Sequence, residues 1–247
     1  MTYQKDRRNT NGDEKISRRN FLKHTGTIIF VVGAAYYVPG KEGYSNVINR
    51  DENRGAIPPS QGYILVDIRK CQGCTSCMLA CTLVHEGVEN PSLSRIQIIQ
   101  NAFESFPDDV TIEQCRQCLD PACVSVCPTD ALRANVGYGN VWMIDRTKCI
   151  GCGECIEACP YTPSRPVVVS DEKFYDDLKV QKCDLCADTP YHWEDAGGGP
   201  GGKQACVEVC PVVAIKFTTQ IPVQEGDEGY KVNLRDTNWR GLGYPLS

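Results

Sequence analysis

Sixteen cysteines fall between residues 71 and 210 of a 247-residue chain, and none lies outside that span. They come in four groups of four. Cys71, Cys74, Cys77 and Cys81 read C-x2-C-x2-C-x3-C, and Cys149, Cys152, Cys155 and Cys159 repeat that spacing before Pro160. Cys115, Cys118, Cys123 and Cys127 read C-x2-C-x4-C-x3-C before Pro128. Cys183, Cys186, Cys206 and Cys210 read C-x2-C-x19-C-x3-C before Pro211. No cysteine is left over, so any fold for this chain has to gather sulfurs in fours.

The spacing has a chemical reason. A [4Fe–4S] core needs four thiolates at the corners of a tetrahedron. A tight turn with a cysteine at every third position supplies three, and the fourth, beyond three intervening residues, faces a neighbouring core. This is the C-x2-C-x2-C-x3-C-P run of two-cluster ferredoxins. The proline ends the short helix carrying the fourth cysteine, because it lacks an N–H and fixes φ. Structural zinc sites instead pair one C-x2-C with a distant second pair. Disulfide scaffolds are usually small and show no repeated ligand runs. Neither pattern matches. Four runs therefore predict four [4Fe–4S] clusters.

The formal net charge is −5, with seven Lys or Arg and three Asp or Glu in residues 1–24, so the remainder carries −9. Metallation adds roughly −8 more, since sixteen thiolates face four oxidised cores of about +2 each. Such a chain excludes nucleic-acid binding and lacks a basic patch for anionic membranes. Hydrophobic residues make up 41%, a modest apolar core that is acceptable where clusters fill the interior.

Residues 1–40 read differently from the rest. Ser17-Arg18-Arg19-Asn20-Phe21-Leu22-Lys23 resembles the twin-arginine export signal, and Ile28–Val38 is an unbroken apolar stretch closed by Pro39 and Gly40. Eleven residues are short for a bilayer span and match a signal h-region; an amphipathic anchor or buried helix is the alternative. No clean cleavage site follows, and an uncleaved signal would tether the chain to the membrane. Twin-arginine export moves folded, cofactor-loaded proteins, so the expected location is periplasmic. No further membrane span is expected.

Residues 41–60 read as a linker, 61–219 as one four-cluster domain of two interleaved modules, and 220–247 as a polar tail that wraps a partner or stays disordered. Strands are expected at Tyr63–Ile68, Ile96–Ile99 and Val212–Phe217. Val66-Asp67-Ile68-Arg69-Lys70-Cys71 recurs as Ile144-Asp145-Arg146-Thr147-Lys148-Cys149, an internal repeat of strand, basic turn and cysteine loop. The fold class is α+β: two bacterial-ferredoxin-like modules about a pseudo-twofold axis, with loop insertions at 82–114 and 187–205. Gly73, Gly151 and Gly153 sit between ligands, where the backbone turns tightly and aims N–H groups at sulfur. Lys70 and Lys148 offset cluster charge, face a partner, or are solvated turn residues. His85 follows the first run and could hydrogen-bond near a cluster, but a lone histidine in a polar loop is more often incidental. Gly197–Lys203 fits G-x-x-x-x-G-K by letter, but Gln204 replaces the Ser or Thr and no strand precedes it, so it reads as a flexible surface loop.

From Tyr63 to Phe217 the four groups, in their order, resemble the four-cluster electron-transfer subunits of molybdopterin oxidoreductases of the dimethyl sulfoxide reductase family. That resemblance implies a pairing of groups one with four and two with three. One cluster would take Cys71, Cys74, Cys77 and Cys210, and another Cys183, Cys186, Cys206 and Cys81. A third would take Cys115, Cys118, Cys123 and Cys159, and the last Cys149, Cys152, Cys155 and Cys127. Thr82 stands where the other groups have proline, an expected loosening of that helix end. The resemblance implies no catalytic site of its own. It implies relay between a molybdopterin or tungstopterin catalytic subunit and a quinone-reactive membrane subunit, a cytochrome or another redox partner. His85-Glu86-Gly87 with Asn90–Ile96 also looks like small subunits of tungsten-type aldehyde oxidoreductases. A free-standing exported polyferredoxin shuttle is the other reading.

Overall fold

The computed structural model describes residues 58–105, 108–174, 177–226 and 228–241. The twin-arginine stretch, the apolar stretch after it and nearly all of the linker lie outside the described residues. Among the described residues no helix is long and apolar enough to cross a membrane.

The secondary structure is sparse and paired. Among the described residues eight strands form four two-stranded antiparallel sheets. β1 (Tyr63–Val66) pairs with β8 (Ile215–Thr218), with Val66 opposite Ile215. β4 (Leu132–Asn135) pairs with β5 (Val141–Ile144), with Leu132 opposite Ile144. β2 (Ile96–Gln100) pairs with β3 (Val110–Gln114), and β6 (Val167–Asp171) with β7 (Asp177–Gln181). Strands therefore form near all three expected positions, though the first stops at Val66 and the last begins only at Ile215. Val213, in the left-handed region at φ 51°, turns the chain before β8 begins. The β6–β7 hairpin has no counterpart in the sequence reading.

The repeat is visible in hydrogen bonds. After β1, Asp67 accepts from the Arg69 N–H at 3.1 Å and its own N–H donates to Ala214 O at 2.8 Å. After β5, Asp145 accepts from the Thr147 N–H at 3.1 Å and its N–H donates to Ala131 O at 2.8 Å. Each aspartate closes an Asx turn that delivers the chain to the first cysteine of a run.

Helices carry the remaining cysteines. α1 (Ser76–Glu86) runs eleven residues, whereas α2 (Ala122–Ser125), α3 (Glu154–Glu157) and α4 (Ala205–Glu208) have four each. The short ones stop before Pro128, Pro160 and Pro211, as a residue without an N–H requires. Thr82 does not loosen its helix end. It has the N–H that proline lacks, so α1 continues a full turn past Cys81 and closes at Gly87, whose N–H donates to Leu83 O at 3.0 Å. Thr82 is fully buried and its hydroxyl donates to Leu79 O at 2.9 Å.

Two main apolar clusters result. One joins β1, β3, β8 and α1 through Ile64, Val66, Ile112, Ile215, Cys77 and Cys81. The other joins α2, α3, β4, β5 and β7 through Val124, Leu132, Trp142, Cys155 and Val180. Burying one such aliphatic side chain is worth about 1.5–3 kcal/mol. α1 also packs on α4, through Ala80, Val84 and Ala205.

The tail packs on its own chain. Lys231 bridges Val66 in parallel, and Val66 N–H donates to Tyr230 O at 2.9 Å. Asp67 accepts from the Leu234 N–H at 2.8 Å and from Arg235 Nε at 3.1 Å. Residues 228–241 thus lie against the first module, and α5 (Thr237–Gly241) ends the described chain.

Candidate cluster-binding sites

The helices dictate how the sulfurs are shared. Cys77 and Cys81 lie four residues apart on α1, hence on one face about one turn apart. Cys77 goes with Cys71, Cys74 and Cys210 around one cavity. Cys81 goes with Cys183, Cys186 and Cys206 around another. The second module repeats this. Cys155 on α3 goes with Cys149, Cys152 and Cys127 around a third. Cys115, Cys118, Cys123 and Cys159 stand close enough that Cys123 feels the other three. All sixteen cysteines are free of disulfides.

The electrostatics test what such quartets can hold. Burial, reinforced by neighbouring sulfurs, pushes the Cys77 and Cys123 thiols up to about 12 and Cys155 to about 11. Burial and Asp184 push Cys183 up to about 12. Four crowded thiolates cannot coexist there without a cationic centre among them. Among the described residues no three His, Cys, Asp or Glu side chains are set to hold a single metal ion. Four sulfurs arranged around a cavity fit a multi-atom iron–sulfur core.

Backbone amides supply the polar contacts. Gly73 N–H donates to Cys71 Sγ at 3.5 Å and Ala214 N–H to Cys210 Sγ at 3.2 Å. Arg95 N–H, beside β2, donates to Cys81 Sγ at 3.3 Å, and Val180 N–H, in β7, to Cys149 Sγ at 3.4 Å. Arg165 N–H donates to Cys159 Sγ at 3.4 Å. The β2–β3 and β6–β7 hairpins therefore border the sites. Gly151, at φ +66°, lies so close to β7 that a Cβ would sit 2.4 Å from Leu178 O.

Several residues behave differently from their sequence reading. His85 is not incidental. It is buried on the extended α1, with Nδ1 2.7 Å from Cys81 O and Nε2 2.9 Å from Asp184 Oδ1. Both partners are acceptors, so both ring nitrogens carry hydrogen. Burial and Arg95 oppose that charge, but Asp184 and Cys81 outweigh them and raise the imidazole to about 9. Arg95 also pairs with Asp184. Burial alone would raise the Asp184 carboxyl, yet Arg95 and His85 hold it far below the carboxylate range. Lys70 is buried, donating to Leu234 O at 3.0 Å over the Trp239 ring. Lys148 is the solvated turn residue, 3.4 Å from Asp145. The Gly197–Lys203 loop is packed rather than loose: Gly199 N–H donates to Leu185 O at 2.7 Å, and a Cβ on Gly198 would meet Cys186 O at 2.3 Å.

The quartets form an ordered series. The Cys71 and Cys81 sites share α1, and Cys77 acts on Cys206. Cys183 lies within reach of Cys115. The Cys115 and Cys149 sites share α2 and α3, which carry Cys123 and Cys155 and precede Cys127 and Cys159. Cys74 and Cys152, one in each outermost quartet, are exposed, while the other fourteen are buried or half-buried.

Comparison with known proteins agrees with this geometry. Residues 63–128 match a family described as a 4Fe-4S dicluster domain, and residues 108–220 match a second family of the same description. An aliphatic sulfonate oxidoreductase, polyferredoxin-like subunit, of Pyrococcus furiosus is 37% identical over 60% of this chain and 70% of its own length. The chain belongs to the 4Fe-4S dicluster ferredoxin family. Thiosulfate reductase electron transfer subunit PhsB of Salmonella typhi is 33% identical, over 64% of this chain and 76% of that one. Hydrogenase-2 operon protein HybA of Escherichia coli O157:H7 is 30% identical over 83% of this chain, which spans 63% of that relative. With its two dicluster matches and the electron transfer subunit PhsB among its relatives, this dicluster ferredoxin is a non-catalytic electron-transfer protein. The family matches run consecutively along the chain, whereas in space the first cysteine group joins the fourth.

Proposed function

We propose that this chain is the electron-relay subunit of a redox complex, holding four [4Fe–4S] clusters in series. They would be held by Cys71, Cys74, Cys77 and Cys210; by Cys81, Cys183, Cys186 and Cys206; by Cys115, Cys118, Cys123 and Cys159; and by Cys127, Cys149, Cys152 and Cys155. The observation that carries this reading is the ordered series of quartets with an exposed sulfur, Cys74 or Cys152, in each outermost one. Each cluster, when bound, supplies a one-electron redox centre. The protein's part is to hold the sulfurs, exclude water from the two inner sites and donate the N–H groups of Gly73, Arg95, Arg165, Val180 and Ala214 to them. The matching Asx turns at Asp67 and Asp145 favour modules related by a pseudo-twofold axis.

The partner we propose is a molybdopterin- or tungstopterin-type catalytic subunit, with a quinone-reactive membrane subunit or another redox protein at the opposite end. The sulfonate oxidoreductase and thiosulfate reductase relatives favour such an assembly over a lone shuttle. The small subunit of a tungsten-type aldehyde oxidoreductase is the second reading, favoured by the His85–Ile96 stretch. We also propose twin-arginine export from Arg18 and Arg19; finding the loaded chain only in the cytoplasm on fractionation would overturn it.

Anaerobically purified protein is expected to carry about sixteen iron and sixteen acid-labile sulfide atoms per chain. A value near zero, with zinc or oxidised cysteine instead, would sink the relay. Molybdenum or tungsten co-purifying in a stable complex is expected, and a monomer free of both points to the shuttle.

A further inference from the structure

The joint between the two modules holds a buried cation. Lys182, 3% exposed, follows β7 and precedes Cys183. Its ammonium donates to Cys115 Sγ at 3.5 Å, to Cys183 O at 3.2 Å and to Trp142 O. Cys115 belongs to one inner quartet and Cys183 to the other, so one charge touches both. Gln117, fully buried, closes the same gap. Its Nε2 donates to Cys183 O at 3.0 Å and its Oε1 accepts from the Trp142 N–H at 2.8 Å. Trp142 Nε1 in turn donates to Cys118 O at 2.9 Å. Lys182, Gln117 and Trp142 are each at most 4% exposed, so the joint is shielded from bulk water. The charge reaches beyond its contacts, opposing the burial that raises Cys123 and adding to the cations that lower Asp184.

Resting on the four-cluster reading above, we propose that Lys182 is a positioning residue for electron transfer: a fixed cation shared by the two inner sites that raises both of their reduction potentials. A reduced cluster carries one more negative charge than an oxidised one, so a nearby cation favours the reduced form. In a water-excluded gap that preference is little screened. Lys182 itself takes up neither electron nor proton; the electron that leaves one inner site arrives at the other. Its neighbours Asp184, Arg95 and His85 face one inner site alone, whereas Lys182 contacts both.

The test is an EPR-monitored potentiometric titration of the iron-loaded protein. Lys182→Met is expected to lower the midpoints of both inner clusters by about 59 mV or more, a tenfold change in the oxidised-to-reduced ratio for one electron; a shift at one alone would overturn the sharing. The two outer clusters should stay within error, and Lys182→Arg should keep wild-type potentials. Four clusters with unmoved potentials in Lys182→Met would overturn the inference and leave the relay reading standing. Wild-type protein without four clusters would overturn that reading instead. Where Lys182→Met fails to take up iron, Lys182→Gln carries the same comparison, keeping a donor without the charge. If neither loads while Lys182→Arg does, the charge serves assembly, and the inference fails.

Discussion

Stripping iron anaerobically from the folded protein is expected to abolish its tertiary structure in a single transition. The reason lies in how little the chain has besides its sulfurs. Three of its helices have four residues, far below the length at which a helix holds itself together. Its sheets have two strands each, which are marginal alone in water. The apolar clusters are completed by cysteines: Cys71, Cys77, Cys81 and Cys206 in the first, Cys149 and Cys155 in the second. Removing the cores leaves three of the quartets lining cavities with no cofactor to brace them. A single structural metal can be worth on the order of 10 kcal/mol, about the whole stability of an ordinary domain. Four cofactor sites therefore hold more free energy than the polypeptide has to spare. The check is far-UV circular dichroism and limited proteolysis before and after chelation. Unchanged spectra and protease resistance at less than one iron per chain would show that the peptide carries its own fold.

How far the sequence could be read follows from the same economy. Cysteine spacing is local and tied to ligand chemistry, so the four cysteine groups could be written down before any coordinates, whereas their sharing across groups came only from the resemblance; β2 followed from β-branched runs. What could not be read depends on contacts across long separations. His85 meets Asp184 99 residues away, and Lys70 meets Leu234 164 residues away. Neither pairing leaves a local mark. Thr82 did leave one, but its meaning was inverted: a missing proline is permission for the helix to continue, and the added turn is what places His85 and Glu86. The β6–β7 hairpin carries a local signal in the β-branched run Val167, Val168 and Val169, but a run that short does not show which strand it pairs with. The Gly197–Lys203 loop looked free because glycine suits open turns. Here the lack of a side chain serves close approach to Cys186 instead.

Glu86→Gln is expected to destabilise the loaded protein by about 3–5 kcal/mol, the usual cost of removing one partner from a buried ion pair. With an m-value of about 2 kcal/mol/M, that is a fall in the urea midpoint of about 1.5–2.5 M. Glu86 is the last residue of α1 and its side chain is only 7% exposed. It faces Arg146 at 3.0 Å, from the turn after β5; Arg95 at 3.6 Å, just before β2; and Lys173 at 3.3 Å, in the 3-10 turn Glu172–Phe174 after β6. One carboxylate thus gathers cations from three separate segments, joining the first module to the repeat turn of the second. Arg95 and Arg146 are 10% and 18% exposed, so water screens little of the repulsion a neutral amide would leave behind. Burial alone would raise the Glu86 carboxyl, but Arg146, Arg95 and Lys173 outweigh it and hold it below its ordinary 4.5. A depressed folded value means the carboxylate's contribution is complete above about 4.5 and is lost as pH falls through the folded value. The gap between wild type and Glu86→Gln should therefore be full at neutral pH and close in acid, where protonated Glu86 comes to resemble glutamine. Urea melts followed by tryptophan fluorescence at neutral pH and in acid measure both effects. A midpoint shift under about 0.5 M at neutral pH, roughly 1 kcal/mol, would mean that the two modules are held together without this carboxylate.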